Sequence, residues 1–131
     1  MTKLGLAAIA AVFGAMLLLS GCSSPLSGEY ATGKSKTMTV SKEVWGGFQE
    51  YVGKISGVNK GIFVVGVLDG EAVTAVYYYC PATKCVVENA AKEAMDECRG
   101  QGSGYNFGPR WECILFAQSG RILVNYKVAE K

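Results

Sequence analysis

Histidine is missing altogether from the 131 residues, proline occurs three times, and neither sign of charge dominates. Without histidine there is no Ser-His-Asp triad, no imidazole metal ligand and no imidazole general base. With 13 Lys and Arg against 11 Asp and Glu, the net charge of +2 is too small and too mixed for a nucleic-acid footprint. Beyond residue 21 no apolar run approaches the ~18 residues of a membrane-crossing helix. The acids form no catalytic pair: Glu93, Asp96 and Glu97 fall on the wet face of an expected helix, and Asp69 and Glu71 sit in a turn. Neither set has the burial on which catalytic acids rely. The chain therefore reads as non-enzymatic, with no catalytic residue, metal or cofactor. What it has in quantity is glycine, 17 residues, and five cysteines, an odd number in so short a sequence. Cysteine at this density points to an oxidising compartment, with one thiol left over after pairing.

Residues 1–21 read as a targeting segment. Lys3 makes a short positive start, Leu4 to Leu19 is an apolar run rich in Ala and Leu, and Leu19-Ser20-Gly21-Cys22 follows. An aliphatic residue and two small ones before a cysteine suit a signal peptidase that must grip the backbone closely. These four residues resemble the bacterial lipobox. The resemblance, which covers about the first 23 residues, implies a diacylglyceryl thioether on Cys22, cleavage before it and N-acylation. It also accounts for the odd cysteine. Ser23 stands where an Asp would, in that family, favour inner-membrane retention, so the implied location is the outer membrane facing the periplasm. The acyl chains on Cys22 exceed the roughly two signals that stable anchoring takes.

Loss of the leader takes away Lys3 and no acid, leaving a nearly neutral remainder. Residues 22–40, rich in Ser, Thr, Gly and Lys, read as a lipidated flexible tether, and 41–131 as a single α+β domain. From Ser41 the pattern turns helical: Val44, Trp45, Phe48, Tyr51, Val52 and Ile55 recur at spacings of three and four. Ser41 suits an N-cap and Gly57 a stop, while Gly46-Gly47 either weakens the helix or admits a close neighbour. Ile62 to Leu68 is an almost wholly apolar strand, Asp69-Gly70 turns it, and Ala72 to Tyr79 returns. A second helix is expected over 84–99, with Thr83 as N-cap, Val87, Ala90, Ala91, Ala94 and Cys98 inward, and Gly100 closing it. After a glycine-rich loop, Trp111 to Ala117 and Arg121 to Val128 form a hairpin around Ser119-Gly120. The expected fold is thus a four-stranded, mainly antiparallel sheet with both helices on one face. Its αββ–αββ order arises from duplication or from coincidence of order.

Cys80, Cys85, Cys98 and Cys113 allow three pairings. Cys85 and Cys98 stand at opposite ends of one expected helix, roughly 20 Å apart, beyond the ~7 Å that a disulfide spans. Cys80 ends the strand leading into that helix, near Cys85. The consistent set is Cys80–Cys85 with Cys98–Cys113, the latter on a strand face shared by Trp111, Leu115 and Ala117. Four thiolates spread over ~20 Å cannot gather around one zinc. A redox reading of Cys80 and Cys85 meets a CxxxxC spacing rather than CxxC.

Candidate binding residues are Tyr105, Phe107 and Arg110 in the glycine-rich loop 100–110, and Tyr78 in the run Tyr77-Tyr78-Tyr79, which places aromatics on both sheet faces. Ala90 to Cys98, then Cys113 to Ala117 and Gly120, resemble small secreted bacterial domains in which an Ala-rich helix ends in a Cys paired to the next strand. That resemblance spans about 40 residues and carries no catalytic residue. Together these features suggest a lipid-anchored envelope protein that binds an envelope protein or polymer. An inhibitor or accessory subunit of an envelope complex is the alternative, and a thiol oxidoreductase a remote one. Replacing the acylated residue, Cys22→Ser, is expected to abolish membrane association. A Cys22→Ser protein that matures and stays in the membrane fraction with unchanged gel mobility would refute the lipid anchor.

Overall fold

The computed structural model describes residues 36–57, 59–81, 83–84 and 86–130. The leader, Cys22, the tether up to residue 35 and Cys85 lie outside the described residues. The chain runs β1 (Met38–Val40), α1 (Lys42–Ile55), β2 (Asn59–Leu68), β3 (Glu71–Pro81), α2 (Val87–Gly104), a short 3-10 turn (Gly108–Arg110), β4 (Trp111–Gln118), β5 (Arg121–Ile122) and β6 (Tyr126–Val128).

Local chemistry sets several of these boundaries. The Ser41 hydroxyl accepts a hydrogen bond from the Val44 N–H at 3.3 Å, satisfying one of the open donors at the start of α1. Gly57, at φ +87°, takes the left-handed conformation just past the end of α1. Val44, Phe48, Tyr51 and Ile55 form the buried stripe of α1. Nothing lies within 4 Å of a Cβ placed at Gly46 or Gly47, so no close neighbour requires these glycines. Between β2 and β3 both turn residues, Asp69 (φ 52°) and Gly70 (φ 86°), are left-handed, as a tight two-residue hairpin demands.

The sheet has six strands in the order β5-β4-β2-β3-β1-β6, which corrects the four-stranded expectation. It is mixed: β2 pairs antiparallel with β3 and β4, whereas β1 runs parallel to both β3 and β6. Two segments account for the difference. Met38–Val40, within the stretch expected to be tether, inserts as β1, and Met38 and Val40 are both fully buried. Residues 121–128 do not form one strand. Arg121–Ile122 pairs with β4, and Tyr126–Val128 pairs with β1 at the opposite edge of the sheet. The αββ–αββ order is lost with them.

That division forces the sheet to curl. Ile122 and Tyr126 are separated by four Cα steps, a reach of at most about 14 Å. The outer strands of a flat six-stranded sheet would stand about 24 Å apart. The sheet therefore rolls into a half-barrel with α1 in its concave side. Two extra residues assist the bend: Val73 opposite the Gly66/Val67 step and Phe116 opposite the Phe63/Val64 step are bulges. The second bulge also moves Ala117 off the face it was expected to share with Cys113, so that Phe116 and Ala117 both join the α1 side.

The helices lie on opposite faces of the sheet, a further correction. Phe63, Val65 and Val67 of β2 meet α1 through Phe48 and Tyr51, with Ile114, Phe116 and Val124 completing that core. Ile62 and Val64 of the same strand meet Ala94, Met95 and Cys98 of α2. Cys98 and Cys113 form a disulfide with Cα atoms 6.0 Å apart, joining α2 to β4. In the chain-entropy model, closing a loop of this length stabilises by about 3 kcal/mol. This is the one disulfide whose two cysteines are both described; the expected Cys80–Cys85 pair includes the undescribed Cys85. No helix among the described residues is long and apolar enough to cross a membrane.

Tyr51 is the polar pin of the concave core. Its ring is fully buried, and its hydroxyl donates to the Ser119 carbonyl oxygen at 2.6 Å, tying α1 to the β4–β5 turn. Burial raises the Tyr51 pKa, so the folded state favours the neutral phenol. The resulting stability is fully present below the unfolded value of about pH 10 and declines as the pH rises beyond it. Tyr51→Phe forfeits this partly buried hydrogen bond, about 1 kcal/mol. It is expected to lower Tm at neutral pH and to flatten the fall of Tm above about pH 10. Thermal melts across that range check it, and an equally steep fall in the variant would contradict this role.

Candidate functional site

The glycine-rich segment expected as a loop is largely helix. α2 starts at Val87, with Val86 at its N-cap in place of Thr83, and continues through Gly100 and Gly102 to Gly104. Glycine is a poor helix former, so a tertiary contact must compensate. That contact is Trp111. The indole lies between α2 and β2 where neither backbone carries a side chain. A Cβ at Gly102 would stand 2.5 Å from Trp111 Cγ and Nε1. One at Gly66 would stand 2.6 Å from Thr74 Oγ1 and closer still to the far edge of the indole. Trp111 Nε1 donates to the Cys98 carbonyl oxygen at 3.0 Å, and Thr74 Oγ1 donates to Gln101 Oε1 at 2.9 Å. Beside this contact the Cys98–Cys113 disulfide joins α2 to β4, the strand that carries Trp111.

Outward from Trp111 the aromatic rings form a tier. Phe107 stacks on Trp111 at 5.4 Å and 20°, and Tyr105 stacks on Phe107 at 5.5 Å and 27°. Tyr105 ends the tier and is 70% exposed. The chain reaches this geometry by leaving α2 through Asn106 at φ +58° and Gly108 at φ +60°, the left-handed turns that let Phe107 fold back. Asn is among the few residues that adopt this conformation readily.

Arg110 does not reach outward as a free charge. Its Nε approaches both Asp69 carboxylate oxygens, at 3.1 and 3.2 Å, and its Nη2 donates to Oδ2 as well. This fork ties the 3-10 turn to the β2–β3 hairpin. The Arg110 guanidinium holds the Asp69 carboxyl below its usual range, and Asp69 in turn raises Arg110. Both groups are exposed, so the pair orients the turn more than it stabilises the fold.

Helices on one face alone would leave either Tyr78, or Tyr77 with Tyr79, on an open sheet face; Tyr78 is instead on the α2 side. It lies opposite Ile62, and its hydroxyl donates to Glu97 Oε2 at 2.5 Å. That bond, chiefly, pushes its phenol pKa up. With a helix on each face, no open face carries it. Tyr77 packs into the concave core against Phe63 and Tyr51, and Tyr79 lies beneath the Lys54 ammonium, 5.7 Å from the ring centroid. The structure thus brings Tyr105, Phe107 and Arg110 to one end of the molecule and sets Tyr78 apart from them. Cys22 and Cys85 lie outside the described residues.

Two clefts flank the Trp111 side of this end. One, of about 590 Å³, lies between the β2–β3 turn and the 3-10 turn, with Lys36, Asp69, Arg110 and Glu112 in its lining. The other, of about 390 Å³, is lined by Arg99, Gly102, Ser103, Asn106, Gly108 and Trp111. Both are open and shallow, suited to surface contact more than to enclosing a small molecule. Trp111, Arg99, Ser103 and Asn106 were not singled out from the sequence as site residues. The one available signal was Gly66, which interrupts an otherwise apolar strand and marks a close approach. No group of three His, Cys, Asp or Glu among the described residues is placed to hold a metal ion. Compared with family models, with curated proteins and with solved structures, the chain matches none.

The clamp on Trp111 makes glycine selective by position. Gly102→Ala overpacks the indole and is expected to cost about 1–3 kcal/mol. Gly104→Ala, where nothing lies within 4 Å, should be neutral or stabilise by about 0.5–1 kcal/mol. Denaturant unfolding of the two variants checks this, and equal midpoints would contradict the clamp.

Proposed function

We propose that this protein is a lipid-anchored component of the bacterial cell envelope whose domain acts as a non-enzymatic binding module. The anchoring reading rests on Leu19-Ser20-Gly21-Cys22 behind a charged start and an apolar run, and Ser23 favours the outer membrane facing the periplasm. The binding reading is carried by the aromatic tier. Tyr105 presents a large ring, 70% exposed, at the end of a stack rooted on Trp111 beside the disulfide. An aromatic that is already ordered loses little entropy on contact, so such a ring is an efficient anchor for a partner. An envelope protein or polymer is the partner class that this location offers. Cys98, 1% exposed and bonded to Cys113, is out of reach of a partner thiol, which weighs against thiol exchange at that pair.

A photo-reactive phenylalanine analogue in place of Tyr105, expressed in intact cells, tests the surface. Crosslinked adducts are expected in the membrane fraction from position 105, and not from position 79, which also carries an exposed tyrosine. They should disappear when Cys22→Ser removes the anchor. Equal adducts from both positions, or none from position 105, would overturn the assignment of this end as the binding surface.

A further inference from the structure

Resting on the binding-module reading, we infer that the surface formed by the Tyr105 ring and the neighbouring cleft of Arg99, Ser103, Asn106 and Trp111 is a binding site for an uncharged glycan chain. A pyranose ring offers two kinds of contact at once. Its C–H faces are apolar and pack on aromatic rings, while its hydroxyls each need a donor and an acceptor. Both kinds of partner stand at this end of the molecule. Tyr105 supplies an exposed and already stacked aromatic face. The Ser103 hydroxyl and the Asn106 carboxamide have no side-chain hydrogen-bond partner among the described residues. A carboxamide brings donor and acceptor together, the pairing that vicinal hydroxyls match. Arg99 bonds Asp96 through Nη1 at 3.2 Å, leaving its other N–H groups to the cleft side. Gly104 and Gly108 carry no side chain to shield the backbone beside them.

Charge and shape favour this ligand over the alternatives. A polyanion needs unengaged cations, but Arg110 is held by Asp69 and Arg99 shares a charge with Asp96. An apolar peptide would leave the hydroxyl, amide and guanidinium groups of this lining unmatched, whereas a sugar uses them together with the apolar surface that Trp111 contributes.

The test uses the full-length protein in zwitterionic detergent micelles, with chitotetraose and cellotetraose as probes and saturation-transfer NMR as the readout. Transfer to pyranose C–H protons is expected from at least one of the two. Its Kd should rise about tenfold or more in Tyr105→Ala, comparable to losing one aromatic contact. Asn106→Gly, which keeps the left-handed backbone, should weaken binding similarly, and Tyr79→Ala should leave it unchanged. Absence of transfer from both probes, binding by Tyr105→Ala equal to the parent, or equal loss in Tyr79→Ala would each overturn the glycan site. If the probes fail while position 105 still crosslinks an envelope protein, the glycan class falls and the binding module stands. If both fail, both fall.

Discussion

Leu123, Val124 and Asn125 carry the chain from one edge of a six-stranded sheet to the other, and this short reach governs the rest of the architecture. A flat sheet cannot be crossed by three residues, so the strands must roll until their edges approach. Rolling creates a concave side, and α1 fills it with Phe48 and Tyr51 against Phe63 and Phe116. The bulges at Val73 and Phe116 supply local bend where a regular ladder would resist it. Val124, inside the crossing itself, is buried in the same core, so the link is held by packing as well as by chain length.

The convex side follows a different rule. There α2 contributes small residues, chiefly Ala90, Ala91 and Ala94, which let the helix approach closely. Trp111 then fills the wedge at its end. Two glycines on separate elements, Gly66 of β2 and Gly102 of α2, leave the space for one indole, and the Cys98–Cys113 bridge ties α2 to β4, the strand that carries Trp111. The aromatic tier outside depends on this clamp, because Phe107 and Tyr105 stack in succession on a ring that cannot shift. The functional surface is in that sense an extension of the core, and the Asp69–Arg110 fork steadies its far side.

Much of the local structure was legible. Ser41 as a cap, Gly57 as a stop, Asp69-Gly70 as a turn and the inward stripes of both helices, the exposed Val52 apart, follow from spacing and from single-residue stereochemistry. The glycine-rich stretch was misread because helix propensity counts each glycine as a break, while Trp111 rewards Gly102 for having no side chain. The side of Tyr78 is not legible in the sequence, because alternation tells that neighbours face opposite ways but not which face a helix will cover. Three-residue strands such as β1 and β6 are too short for any period to register.

Residue types and their spacing determined, without any structure, the absence of histidine chemistry, the approximate place of both helices, the turns at Asp69-Gly70 and Ser119-Gly120, and the pairing of Cys98 with Cys113 as the geometrically consistent choice. Even the burial of β2 on both faces was implicit in its run of apolar residues, which requires cover on each side of the sheet. Only the tertiary structure decided the rest: that residues 121–128 divide between two sheet edges, that Met38–Val40 joins the sheet, and that the helices take opposite faces. Each of these turns on contacts between segments distant in sequence, where a neighbour's shape and not the residue's own preference selects the outcome. Local patterns specify elements, but the closure of the sheet and the place of Trp111 are set by which surfaces fill the same volume.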